Sequence, residues 1–263
     1  MRNCLIMGFG RSGTSLMGGI LHQAGYFMGE DLYHPRHSNP KGFFECAFIN
    51  GINERILQPY DYYFTKKNYP DLGKPFSPFC PGEGHRWISY IESDTEVTST
   101  DPLVLEKIQQ AVAIQGYAYK DPRFNYTLNV WLHYLQDDVV LICMFRNPAD
   151  TIMSVLNECA SAQYLSDFAI NPQIAEQLWI NSYTQLLGKM NQNSSRQFIV
   201  IHYHQLLTGS VLEKISDLIQ TKIDVRFADE TLNRTQSDFK VSNETKVIYS
   251  ELCTLAQFVT DIY

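Results

Sequence analysis

Short unbroken apolar runs alternate along this chain with longer stretches in which apolar side chains recur every three or four residues. CLIM, at 4–7, anchors a strand predicted over 3–8; GYAYK at 116–120, VVLICMF at 139–145 and QFIVIHY at 197–203 predict three more. Short, nearly continuous apolar runs fit strands covered on both faces. Between them, Leu16, Met17, Ile20, Leu21 and Ala24 fall at helical spacing within a helix predicted over 14–25. Phe44, Phe48, Ile52 and Ile56 do the same within 44–57. Asp101-Pro102 and Asn147-Pro148 read as a cap followed by a first helical residue, so helices are expected to about 113 and about 161. In the second of these, Ile152, Val155, Leu156 and Cys159 make the buried stripe, with Asn147, Asp150, Ser154 and Ser161 opposite. A long helix is expected after Pro172, and two more near 209–220 and 244–260. Residues 59–84 interrupt the alternation with five prolines among many aromatics.

Strands alternating with helices imply parallel pairing and right-handed crossovers, hence a three-layer α/β/α fold with a central, mainly parallel sheet. The 263 residues suit one domain spanning 1–263, with an insertion at about 59–100 on the side where a second substrate would enter. In such sheets ligands bind beyond the carboxyl ends of the strands. Those ends carry Arg11, Lys120, Arg146, and Tyr203 with His204, so three cations and two polar rings are expected along one edge. His202, Tyr203 and His204 are read as alternating, with either face free to border a ligand and Tyr203 taken as a candidate contact.

Composition narrows the partners. The net charge is −7 and no basic stripe interrupts it, which argues against nucleic acid; an anion must be held by a few placed cations. No apolar run approaches the roughly 18 residues of a membrane span, and CLIMGFG is shorter than a signal-peptide core, so a cytoplasmic location is expected. The six cysteines are scattered without a C-x-x-C pair, so reduced thiols are expected and no metal site.

The first strand runs into GFGRSGTS, residues 8–15, a glycine-rich turn opening a helix. Amides from Gly10, Arg11, Ser12, Gly13, Thr14 and Ser15 can curl round an anion there, helped by the helix dipole and the hydroxyls of Thr14 and Ser15. The usual lysine of such a phosphate loop is replaced by Thr14, and the charge sits at Arg11. Nucleotide hydrolases and kinases usually follow a neighbouring apolar strand with Asp or Glu for Mg²⁺; here Arg146 follows it. A guanidinium repels a metal ion and grips phosphate, so a ligand with a second phosphate, held without Mg²⁺, is implied. Ser154, two helical turns beyond Arg146, is placed to donate to it.

With these residues in hand, the chain resembles the sulfotransferases that use 3′-phosphoadenosine 5′-phosphosulfate (PAPS) and release 3′-phosphoadenosine 5′-phosphate (PAP). GFGRSGTSLM is similar to the family's 5′-phosphosulfate loop, and FRNPADTIMSVL to its 3′-phosphate segment, with Arg146 and Ser154 at the family's spacing. YKDPRF at 119–124 and NPKGFFE at 39–45 resemble segments of the tyrosylprotein and bacterial branches, and VIHYHQLL at 200–207 matches more weakly. The resemblance implies a P-loop-like fold, sulfuryl transfer to a hydroxyl or amine, and Glu45 as base. By analogy with phosphoryl transfer Arg11 and Lys120 are assigned to the leaving oxygen, and Glu30 is the second candidate base, with His34 and His37 behind it. It leaves the acceptor open among carbohydrate, lipid and small metabolite, and the oligomeric state open. Arg123 is free on this reading either to approach the cofactor or to pair with Asp121. The family's Arg-Lys-Gly segment is missing, and Arg234 or Lys240 is the candidate replacement. Tyr60, Tyr62, Tyr63, Phe64, Tyr69, Trp87 and Tyr90 are candidates to wall the acceptor pocket. The competing expectations are a P-loop kinase acting on a small molecule and a non-catalytic nucleotide-binding protein of the same fold.

Overall fold

In the computed structural model, which describes residues 1–37, 39–60, 85–166, 168–224, 226–228 and 236–259, four parallel strands form one sheet. They are β1 (Cys4–Met7), β2 (Ala118–Lys120), β3 (Val140–Phe145) and β4 (Gln197–His202), ordered β2-β1-β3-β4. The register pairs Ile6 with Lys120, Met7 with Cys143 and Phe145 with His202, so the carboxyl ends finish along one edge. Side chains alternate across the sheet as period-2 geometry requires. Leu5, Met7, Leu141, Cys143, Phe145 and Val200 join one core, and Cys4, Ile6, Val140, Ile142, Met144, Ile199 and Ile201 join the other. The two cores make the fold three-layered, and they explain why the strands read as unbroken apolar runs.

The first core is covered by α2 (Ala47–Leu57), α3 (Pro102–Val112), α4 (Phe124–Leu132), α5 (Pro148–Ser161), α6 (Pro172–Gln192) and α9 (Asn243–Ala256). The second is covered by α1 (Thr14–Gln23), α7 (Tyr203–Thr208) and α8 (Leu212–Ile219). The predicted caps form: Asp101 accepts from the Leu103 amide at 3.0 Å and Asn147 from the Ala149 amide at 2.9 Å. Among the described residues no helix is long and apolar enough to cross a membrane.

Four expectations are corrected. Helix α2 starts at Ala47 with Cys46 as its cap, so Glu45 precedes the helix instead of opening it. Its buried stripe is Ile49, Ile52 and Ile56; Phe48 is 42% exposed, and Phe44 turns to the other core from a left-handed backbone, φ 55°. On α5 the buried set is broader than the apolar stripe, because Ser154 and Glu158 are buried while Leu156 and Cys159 are only half-buried. Strand β4 ends at His202, whose side chain and backbone close a capping box, so Tyr203 is the first residue of α7 and not a strand residue. Helix α4, which was not expected, follows β2 directly.

Candidate active site at the carboxyl edge of the sheet

A cleft of about 620 Å³ opens where the strands end. Arg11 after β1, Lys120 closing β2, Arg146 after β3 and Tyr203 after β4 all line it, as do Gly10, Gly13, Thr14, Ser15, Ser154 and Glu45. The glycine-rich turn is built from below. The Gly8 amide donates to Asn125 Oδ1 at 2.9 Å, and the Phe9 amide to the Tyr183 hydroxyl at 3.3 Å. Tyr183 in turn donates to the Met144 carbonyl of β3 at 2.8 Å and lies 3.0 Å from Ser12 Oγ. Ser12 is therefore buried and turned inward, and its hydroxyl serves the turn's shape instead of facing the cleft. Arg11 occupies the left-handed region at φ 70°, an uncommon place for a side-chain-bearing residue. Gly13 stands at φ 91°, and a Cβ there would meet the Tyr203 ring at 2.5 Å; a Cβ at Gly10 would meet Trp87 at 2.5 Å. These glycines let two rings lie directly on the turn. Helix α1 begins at Thr14 with Gly13 as its N-cap, without a side-chain cap or an acidic residue in its first turn, so its N-terminal amides and dipole are left to the cleft.

Lys120 and Glu45 form a close ion pair, and Lys120 Nζ is also 3.4 Å from Ser15 Oγ. Glu45 Oε2 accepts from Asn50 at 2.8 Å and lies 3.9 Å from Arg123 Nη1. Burial alone would raise the Glu45 carboxyl, but Lys120 and Arg123 outweigh it and hold it below the ordinary range. Beneath lies a buried ionic network that sequence reasoning only half anticipated. Arg123 donates to Asp121 at 2.8 Å and to Glu54 at 2.5 Å, and Arg86 donates to the other Glu54 oxygen at 2.6 Å. Asn53 donates to Asp121 at 2.9 Å and accepts from Thr127 and the Trp131 indole, both at 2.8 Å. Arg123 makes the expected pair with Asp121 and a second with Glu54, and it also lines the cleft. Burial disfavours its charge, yet Asp121, Glu54 and Glu45 more than restore it. Asp121 is shifted upward by burial, with Arg123 opposing.

On the far side, Arg146 is buried, its guanidinium 5.2 Å from the centre of the Tyr203 ring and donating to Asp150 at 3.2 Å. Ser154 Oγ accepts from Arg11 Nε at 3.1 Å, and one turn on Glu158 Oε2 lies 3.8 Å from Arg11 Nη1. Glu158 was missed because it lies on the face expected to be polar; its spacing of four from Ser154 was the available signal. Glu30 is exposed and does not line the cleft, nor does His34, whereas His37 does. Trp87 lines it; Tyr60 and Tyr90 do not. Tyr62, Tyr63, Phe64, Tyr69 and Arg234 lie outside the described residues, and Lys240 is exposed, away from the cleft.

A parallel sheet sandwiched by helices, with a glycine-rich turn and strand-end cations lining a cleft at its carboxyl edge, defines a three-layer α/β protein. The Sulfotransferase family profile matches residues 4–220, and the chain belongs to that family. Solved sulfotransferase structures are similar to it in fold, two of them as follows. The sulfotransferase domain from the curacin biosynthetic pathway is 17% identical at a TM-score of 0.50, over 96% of this chain and 98% of that one. Sulfotransferase STF1 from Mycobacterium tuberculosis H37Rv is 15% identical at a TM-score of 0.50, over 97% and 77%. No curated protein sequence matches the chain.

Proposed function

We propose that this chain moves a sulfuryl group from PAPS to a hydroxyl or amine of a small-molecule, carbohydrate or lipid acceptor. The observation that carries the reading is the meeting, in one cleft, of the uncapped α1 N-terminus with Arg11, Lys120 and Arg146 from three different strand ends. Such a cleft suits an anion with two separated charged ends. The turn and Thr14 would hold the 5′-phosphosulfate; Arg146 and Ser154 would hold the 3′-phosphate. A phosphosulfate lacks a γ-phosphate, so the absent P-loop lysine is not needed, and the reading calls for no metal ion.

In transfer, the bond from sulfur to the phosphate oxygen breaks as one to the acceptor oxygen or nitrogen forms. Catalysis of this kind rests on positioning and on charge stabilisation. Lys120 stands between Glu45 and Ser15, so it can follow charge from the carboxylate to the leaving oxygen. Glu45, held ionised, is then released to take the acceptor proton. Arg11 completes the neutralisation of the leaving phosphate. The experiment is thermal unfolding with PAP and no metal, against ATP with Mg²⁺. At 100-fold over Kd, PAP is expected to add about 2.7 kcal/mol, a rise of roughly 5–10 °C in Tm. Stabilisation by ATP with Mg²⁺ alone would assign the cleft to a kinase; PAP binding with no transfer from labelled PAPS to any of a panel of acceptors would make it a binding protein.

A further inference from the structure

Glu158 lines the cleft but has no part in the proposed transfer. Its carboxylate is only 6% exposed, yet it borders a cleft suited to anions. Its place follows from α5: Ser154 and Glu158 are one turn apart on the face packed toward the turn at 8–15. Arg11 Nε donates to Ser154 and Nη1 faces Glu158, so successive turns of α5 brace the Arg11 side chain from its strained backbone position. The other carboxylate on the described lining, Glu45, is matched by Lys120 and Arg123. Glu158 instead draws on Arg11, a cation that the bound phosphosulfate would also draw on.

Resting on the sulfotransferase reading, we propose that Glu158 is a positioning residue that holds Arg11 against α5 in the empty cleft and competes with the bound anion for it. A fixed negative charge at that place weakens every anion entering the cleft, the spent product included. It therefore sets donor affinity low and lets PAP leave. The carboxylate takes no proton and forms no bond in the transfer step.

The test is calorimetric titration of wild type, Glu158→Gln, Glu158→Ala and Glu158→Asp with PAP and, separately, with inorganic pyrophosphate. The two neutral variants are expected to bind both anions about tenfold more tightly or better, the scale of removing one like charge at close range in a partly buried site. Glu158→Asp keeps the charge and is expected to stay within about threefold of wild type. In turnover, Glu158→Gln should lower both KM for the donor and kcat, a split that a merely structural lesion does not produce. Unchanged or weaker anion binding in both neutral variants overturns the proposal. Pyrophosphate tightened by Glu158→Gln while PAP binds neither protein upholds the role of Glu158 and removes the sulfotransferase reading; no response to either anion removes both.

Discussion

Lys120 is where sequence and chemistry meet most directly at the scale of single residues. It closes β2, and a strand end in a parallel sheet is a position that sequence pattern alone can place. On the proposed reading, Lys120→Ala lowers kcat by about 10²–10³ with PAP affinity changed far less, the scale of losing one donor at a developing charge. Steady-state turnover beside PAP titration checks it, and an affinity loss equal to the rate loss would move Lys120 out of the transition state. Arg11 and Arg146 were legible for the same reason. Glu54 and Arg86 were not, because Glu54 meets Arg123 across 69 positions of chain and Arg86 across 32, and no local period records such meetings. Their network is a folding feature that shapes the site from beneath. Glu54→Ala leaves Arg123 and Arg86 buried without that carboxylate, and removing one partner of a buried pair costs about 3–5 kcal/mol. Urea unfolding reads this directly, and a loss under about 1 kcal/mol would mean the network is solvated.

At the scale of elements, the sequence showed what has a period and concealed what does not. The strands were visible as apolar runs, and α3, α5 and α6 through their Asp-Pro, Asn-Pro and Asn-Pro starts. Helix α4 was concealed because all but one of its nine residues, FNYTLNVWL, are buried. A helix covered all round has no amphipathic signature to read. Helix α7 was concealed by its brevity and by the apolar strand that runs into it. Ser154 was assigned to the face opposite the core and Glu158 was missed, because the helical period marks only one packing partner, and α5 has two: the core and the glycine-rich turn. The coupling of elements makes its own prediction through Tyr183. This hydroxyl of α6 gathers the Phe9 amide, Ser12 and the Met144 carbonyl, fixing the turn to the sheet. Tyr183→Phe leaves buried polar groups unmet and is expected to cost about 1–3 kcal/mol of stability. Because the turn it supports would hold the anion, PAP binding should weaken with it. Unfolding and titration on the same sample test both, and unaltered PAP affinity in a destabilised variant would show that the turn keeps its shape alone.

Across the whole molecule, a net charge of −7 surrounds a cleft lined by Arg11, Lys120 and Arg146, so local placement overrides the global field. The same economy appears where the chain's late elements are tied to its site. His202 ends β4 beside Tyr203, accepts the His204 amide on Nδ1 at 3.2 Å, and faces the Tyr249 hydroxyl of α9 through Nε2 at 3.2 Å. Phe258 stacks on its ring at 3.9 Å between centroids. A ring that accepts on Nδ1 carries its single proton on Nε2, directed at Tyr249. Protonating Nδ1 would break the cap, and burial, with the nearby His204 and Arg146, lowers His202 from 6.5 to about 3. The sign follows from proton counting. Between pH 6.5 and 3 the unfolded chain takes up a proton at this residue and the folded chain does not, so stability falls as pH drops through that window. Relative to neutral pH, the loss from His202 alone reaches about 2 kcal/mol by pH 5. His202→Gln removes the titration while offering a polar side chain at the cap. Its unfolding free energy, measured in urea from pH 7.5 to 4.5, should therefore fall less steeply than that of wild type, the two curves converging as the medium is acidified. Parallel curves would show that the ring is as free to protonate in the folded protein as in the unfolded chain, and that β4, α7 and α9 are joined by packing alone.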